Sequence, residues 1–267
     1  MGRGLRTFAC TAVVGGCSLA VDVDGLSSPG GASDAAPPVD DAGRPGPDST
    51  LPPPGDGGAQ ATCVPGAAGA FCADFDGVST VLDGWDSFRN ERANASVTFE
   101  DELFFSRPRA ARITVPNGGS SDCRFAQLVR TIPGQWSRAE LSFAVLVESV
   151  TDATIVMLQI ARQCSALVVP YSNNPVVIRQ DDPSGTPLRT APLNRRATPG
   201  TFSRVGLTFD VRSTPTIEAT IDGEPAGSLT GGPEACIRSG PVALYLGPHC
   251  VDRPITMTVD DVRLTVQ

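Results

Sequence analysis

The chain has 267 residues, a net charge of −8 and only 19% charged and 6% aromatic residues, and all 21 of its basic residues are arginine. That length holds one large β domain or two small ones, the acidic balance argues against a nucleic-acid partner, and no apolar run reaches the roughly 18 residues a membrane-spanning helix needs. The acid excess is uneven. Residues 18–62 hold seven Asp against the single Arg44, whereas residues 63–267 hold 22 acids and 18 Arg. The longer part is close to balance, so its net charge points to no partner.

The chain opens with a short basic start, "MGRGLR", followed by the small and apolar stretch "TFACTAVVGG". This pattern reads as a minimal secretion signal over residues 1–16. The four residues Val14 to Cys17, "VGGC", resemble the lipobox of bacterial lipoproteins. The resemblance implies cleavage before Cys17 and acylation of its thiol, and Ser18 in place of Asp implies the outer membrane or cell surface. Plain secretion or a periplasmic location is the alternative. Several acyl chains would anchor the protein stably, where one would not.

Residues 17–62 form the next segment. Of its residues 18–62, eight are Pro and eight Gly, and large apolar side chains are almost absent. Such a composition cannot bury enough surface to offset chain entropy, so a disordered linker is expected. As a flexible coil it would span roughly 40 Å.

From residue 63 to 267 the pattern becomes that of an all-β domain: short Val, Ile, Leu, Phe and Thr runs broken by Gly, Pro and Asn. "RAELSFAVLVES" alternates Leu141, Phe143, Val145 and Val147 on one face, and "RVGLTFDV" alternates Val205, Leu207, Phe209 and Val211. In "PTIEATIDGEPAGSL", Ile217, Ala219 and Ile221 face inward, and Asp222-Gly223 predicts a tight hairpin turn. In "ITMTVDDVRLTV" the doubled Asp260-Asp261 shifts the phase and predicts a β-bulge. About a dozen strands are too many for one open sheet, so two packed antiparallel sheets are expected, with "FCADFDG" near the start pairing with the last strand.

Cysteine usage fits export. With Cys10 lost in the leader and Cys17 acylated, Cys63, Cys72, Cys123, Cys164, Cys236 and Cys250 remain, an even set suited to disulfides. The preferred pairs among 15 connectivities are Cys63–Cys72, Cys123–Cys164 and Cys236–Cys250. No CxxC spacing exists and His249 is the only histidine, so no zinc site is expected. Calcium, which prefers oxygen ligands, has candidate positions at Asp260, Asp261 and Asp122.

The hairpin at residues 201–229 and the closing "MTVDDVRLTV" resemble the laminin-G and concanavalin-A-like jelly rolls, with Phe202 where that family often has Trp. The resemblance implies a two-sheet antiparallel jelly-roll sandwich. Enzymes of this superfamily set the marks to look for. A Glu-x-Asp-x-Glu strand would aim carboxylates into one groove. "FEDEL" offers only Glu100 and Glu102 on one face. Alginate-lyase-like jelly rolls carry an Arg-x-Glu-Leu-Arg strand and a Gln-Ile-His strand. Here "RAELS" supplies Arg138, Glu140 and Leu141, and "LQIAR" supplies Gln159 and Ile160, but Ala161 stands at the histidine position. Removal of an α proton needs a positioned base. No Lys accompanies Tyr245.

Glycan binding needs aromatic faces with amides and carboxylates. Candidates are Arg138, Gln159, Trp136, Tyr171, Asn173 and Tyr245, with Trp85, Asn174 and Asp181 beside them. The leading expectation is a lipid-anchored, monomeric, non-catalytic binding module for a glycan, or for a cell-surface protein, with no cofactor. A polysaccharide lyase or glycoside hydrolase of the jelly-roll type, and a structural envelope protein, are the alternatives.

Overall fold

The computed structural model describes residues 69–90, 94–106, 108–116, 124–148, 153–161, 164–171, 177–181, 187–231, 239–251 and 253–267. The expected leader, Cys17, the linker and Cys63 lie outside them, as do Cys123, Cys236, Asp122, Asn173 and Asn174.

The described residues form fifteen strands and no helix. In chain order they are β1 (Ala70–Ala73), β2 (Ser87–Asn90), β3 (Ser96–Glu100), β4 (Ala110–Val115), β5 (Arg124–Trp136), β6 (Arg138–Val147), β7 (Thr154–Ile160) and β8 (Cys164–Val169). There follow β9 (Val177–Asp181), β10 (Pro187–Pro192), β11 (Ser203–Asp210), β12 (Thr216–Ile221), β13 (Glu224–Thr230), β14 (Gly240–Val251) and β15 (Ile255–Val266). They build two antiparallel sheets. Sheet A runs β13-β12-β11-β6-β15-β4-β3, with β1 added to β15, and sheet B runs β10-β9-β8-β7-β14-β5-β2. The protein is an all-β, two-sheet jelly-roll sandwich.

The period-two alternation explains which side chains enter the core. In β6, Ala139, Leu141, Phe143, Val145 and Val147 are buried toward the sandwich interior. In β11, Val205, Leu207 and Phe209 do the same beside them, in register with Phe143, Leu141 and Ala139. Sheet B answers with Leu128 and Ile132 of β5, Leu158 and Ile160 of β7, and Leu244 and Leu246 of β14. Each such side chain withdrawn from water stabilises the fold by about 1.5–3 kcal/mol.

The turn chemistry behaves as the sequence indicates. Asp222 and Gly223 have φ of 54° and 80°, the left-handed pair that a two-residue hairpin between β12 and β13 requires. The carboxylate of Asp222 also accepts the Arg204 N–H at 2.8 Å. The Asp260-Asp261 bulge is present. Asp261 has φ of 50°, and the β15–β6 register shifts between Asp260 and Arg263. β1 pairs with β15 from Ala70↔Thr265 to Ala73↔Val262, so the two ends of the described domain meet.

Cys72 and Cys250 are disulfide-bonded. The three pairings above stand as expectations.

Candidate functional site

Two outer faces are available. On each strand of sheet B the residues between the core positions point away from the sandwich. Register places them in rungs. One rung runs Ser87, Val129, Tyr245, Met157, Leu167 and Arg179 across β2, β5, β14, β7, β8 and β9. The next runs Thr131, Ala243, Gln159, Ser165 and Asp181. Tyr245 and Gln159 are thus diagonal neighbours on adjacent strands, at a spacing of roughly 7–8 Å. The Gln159 amide donates to the Ser165 hydroxyl at 3.4 Å.

Around Tyr245 the face gains residues that sequence reasoning did not single out for a site. Arg89 of β2 is exposed, and its guanidinium carbon lies 5.6 Å from the ring centroids of both Phe125 and Tyr245. Arg89 pairs in register with Gln127 of β5. Gln127 is 2% exposed, and its Nε2 has no hydrogen-bond partner. Phe125 also faces His249, with ring centroids 5.8 Å apart. His249 lies on β14. Gly247 at φ 139° breaks the strand's regularity between Tyr245 and His249. A Cβ there would meet the Ala126 carbonyl oxygen at 2.1 Å, so only glycine fits. The signal for Phe125 and Gln127 is the alternation in "RFAQLVRTI", whose Ala126 and Leu128 point inward.

Other predicted site residues are placed elsewhere. Arg138 is on the outer face of sheet A, not beside Gln159. Its Nε donates to Glu140 at 2.8 Å and its NH1 to Asp210 at 3.4 Å. Arg138 and Gln159, the two residues of the lyase-like resemblance, do not converge, because β6 and β7 belong to opposite sheets. Tyr171 is corrected too. It is 2% exposed, and its hydroxyl donates to the Val145 carbonyl at 3.0 Å, so it is a core residue. Burial, foremost, pushes its phenol far above the ordinary tyrosine range. Trp136 sits at the end of β5, folded over Gly134, with its indole N–H donating to the Pro133 carbonyl at 3.0 Å. Trp85 is buried edge-on against Phe71, with centroids 4.8 Å apart. Asp181 is buried, and Arg179 donates to it at 2.7 Å.

Glu100 is structural. Burial raises its carboxyl's pKa, but the Arg112 guanidinium at 2.7 Å and the backbone N–H groups of Glu102 and Leu103 outweigh that and hold it below the usual range. Asp260 is fully buried in the bulge. One of its oxygens accepts the N–H groups of Phe105 (3.0 Å) and Ser106 (2.7 Å), and the other accepts the Asp261 N–H (2.7 Å). Burial pushes its carboxyl up to about 6. Asp261 holds Arg204 at 2.8 Å. The donors around Asp260 suit a hydrogen-bonded carboxylate. Among the described residues no three acidic, histidine or cysteine side chains converge as a cation site would require.

The second outer face carries a groove of about 360 Å³ on sheet A. Its walls include Ser142, Thr208, Thr220 and Thr265, and its floor is Gly206, where a Cβ would meet the Thr220 hydroxyl at 2.2 Å. Of its charged walls, Glu140 is held by Arg138 and Arg204 by Asp261. The rest of the lining includes hydroxyls, Glu218 and Arg263, but no aromatic ring.

The domain is by its architecture a jelly-roll sandwich whose sheet B displays aromatic, amide and guanidinium groups on its outer face. No family model and no curated protein sequence matches the chain. Among solved structures it is similar to the endo-β-1,4-glucuronan lyase of the fungus Trichoderma reesei, at 15% identity over 74% of this chain and 95% of that one, with a TM-score of 0.56. It is also similar to the cellulose induced protein Cip1, at 13% identity over 73% of this chain and 96% of that one, with a TM-score of 0.50. Likeness at these identities establishes the fold and leaves function to the site.

Proposed function

We propose that the domain is a non-catalytic glycan-binding module whose contact surface is the outer face of sheet B. The observation that carries this reading is the shared placement of Tyr245 and Gln159 on that face, with Arg89 resting on the Tyr245 and Phe125 rings. Sugars are recognised by an apolar ring face together with a few fixed polar groups, and these side chains supply both. The described carboxylate on the sheet B strands, Asp181, is bound to Arg179. A paired-carboxylate hydrolase mechanism has no counterpart there among the described residues.

In this reading the chain is exported, acylated at Cys17, and carried clear of an outer membrane by residues 17–62, with Cys63, Cys72, Cys123, Cys164, Cys236 and Cys250 paired in three disulfides. The domain works as a monomer. A structural envelope protein would share this anchor but would bind no glycan.

A polysaccharide lyase is the second reading, and one observation favours it. Tyr245 and His249 are both on β14, with Arg89 and Gln127 beside them. A lyase needs a base near a group that neutralises the substrate carboxylate. Screening the full chain against a glycan array, with an absorbance assay for unsaturated sugar products on every bound glycan, separates the readings. Binding without product supports the module, product supports the lyase, and neither removes both.

A further inference from the structure

The two sheets differ in charge. The strands of sheet B carry Arg89, Arg124, Arg130, Arg179 and Arg189 against one carboxylate, Asp181, whereas those of sheet A carry seven acids against four arginines. A protein with a net charge of −8 thus presents a locally cationic sheet. Most of these arginines are already engaged. Arg179 is held by Asp181 and Arg130 by Asp86, while Arg124 donates to the carbonyls of Val251 and Pro116 and Arg189 to that of Thr230.

Arg89 differs. It is exposed and, among the described residues, makes no ion pair or hydrogen bond; its contacts are the two aromatic rings. Its cross-strand partner Gln127 has a buried amide Nε2 that also lacks an acceptor. Residues paired in this way hold their Cβ atoms about 5 Å apart. Two neighbouring N–H donors therefore share one want, and an oxyanion meets it. Leaving a buried donor unsatisfied is costly, and a bound acceptor would return that cost. Cation–π contact with Phe125 and Tyr245 places the guanidinium beside both rings, and guanidinium–oxyanion pairs are strong.

We infer that the Arg89–Gln127 pair is an oxyanion subsite and that the glycan bound on sheet B is acidic, carrying a uronate carboxylate or a sulfate ester beside a sugar face stacked on Tyr245. This rests on the reading of that sheet face as the glycan surface. Rotation of the exposed Arg89 side chain opens the Gln127 amide to the ligand. Because the whole protein is acidic, long-range attraction does not favour a polyanion, and binding depends on this local pair.

The test uses the full chain titrated calorimetrically with polygalacturonate, dextran sulfate and neutral dextran. A uronate subsite predicts binding of the first, a sulfate subsite binding of the second, each at least tenfold tighter than dextran. Arg89→Gln should weaken acidic-glycan binding tenfold or more, and Gln127→Leu several-fold. Thermal melts should show Gln127→Leu folded, since it removes the buried amide without leaving a cavity. If dextran binds as well as the polyanions, or if Arg89→Gln leaves polyanion binding unchanged while Tyr245→Ala abolishes it, the acidic subsite is refuted and the glycan surface stands. If none of the three binds and a glycan array is also blank, both fall.

Discussion

The Arg89 guanidinium lies 5.6 Å from the centre of the Tyr245 ring, bridging the edge strand β2 to the inner strand β14 across the intervening β5. It fixes one face of a half-exposed aromatic ring on sheet B. The other described tyrosine, Tyr171, has no such freedom.

Tyr245 should matter for binding and little for folding. Tyr245→Ala is expected to weaken glycan affinity more than tenfold while changing stability by only about 1 kcal/mol. Tyr245→Phe, which keeps the ring, should stay within about threefold of the parent. Titration and thermal melts of the two variants check this.

Tyr171 should behave oppositely. Tyr171→Phe removes the hydroxyl that donates to Val145 and should cost about 1 kcal/mol of stability, with glycan affinity unchanged. Denaturant unfolding measures the first and titration the second.

Asp260 sets a pH dependence with a definite sign. Its folded-state carboxyl titrates near 6, raised by burial above the unfolded value of 3.8. The folded protein therefore binds this proton more readily than the unfolded chain does. The resulting stability is fully present below about 4 and is lost as pH rises through about 6. The full effect is of the order of 3 kcal/mol. Melting temperature measured from about pH 7 to about pH 5 should rise for the parent relative to Asp260→Asn, which has no proton to gain. Parallel curves would contradict the assignment.

Export leaves a chemical record. Intact-mass analysis of protein from a bacterial membrane fraction should find an acylated N-terminus at Cys17 and six cysteines that resist alkylation until reduced. Each disulfide should contribute about 2–4 kcal/mol, so reduction should lower the melting temperature sharply. An intact leader with six alkylatable thiols would remove the lipoprotein reading.

The strands most legible in the sequence were those with one apolar and one polar face. β6, β11, β12 and β15 alternate as written, and Asp222-Gly223 and Asp260-Asp261 carry the turn and the bulge in their residue types. Fifteen strands form among the described residues where about a dozen were expected, because four-residue edge strands such as β2 leave almost no periodic trace. Sheet membership was not legible. Arg138 and Gln159 sit on consecutive strands, and only the long-range pairing of β6 with β11 and β15, and of β7 with β14 and β8, sends them to opposite faces. Tyr171 stands among the glycan-binding candidates because nothing local shows that its hydroxyl meets a core-strand carbonyl. Nothing local marks Arg89, because its significance lies in what it pairs with 38 positions away, at Gln127.

The most direct test is glycan binding by the full chain before and after disruption of the sheet B face. A glycan array followed by titration of the best ligand should give saturable binding that the double substitution Tyr245→Ala, Gln159→Ala abolishes, whereas Glu218→Ala in the sheet A groove leaves it intact. Binding that survives the first change and disappears with the second would place the contact surface on the wrong sheet and contradict the account.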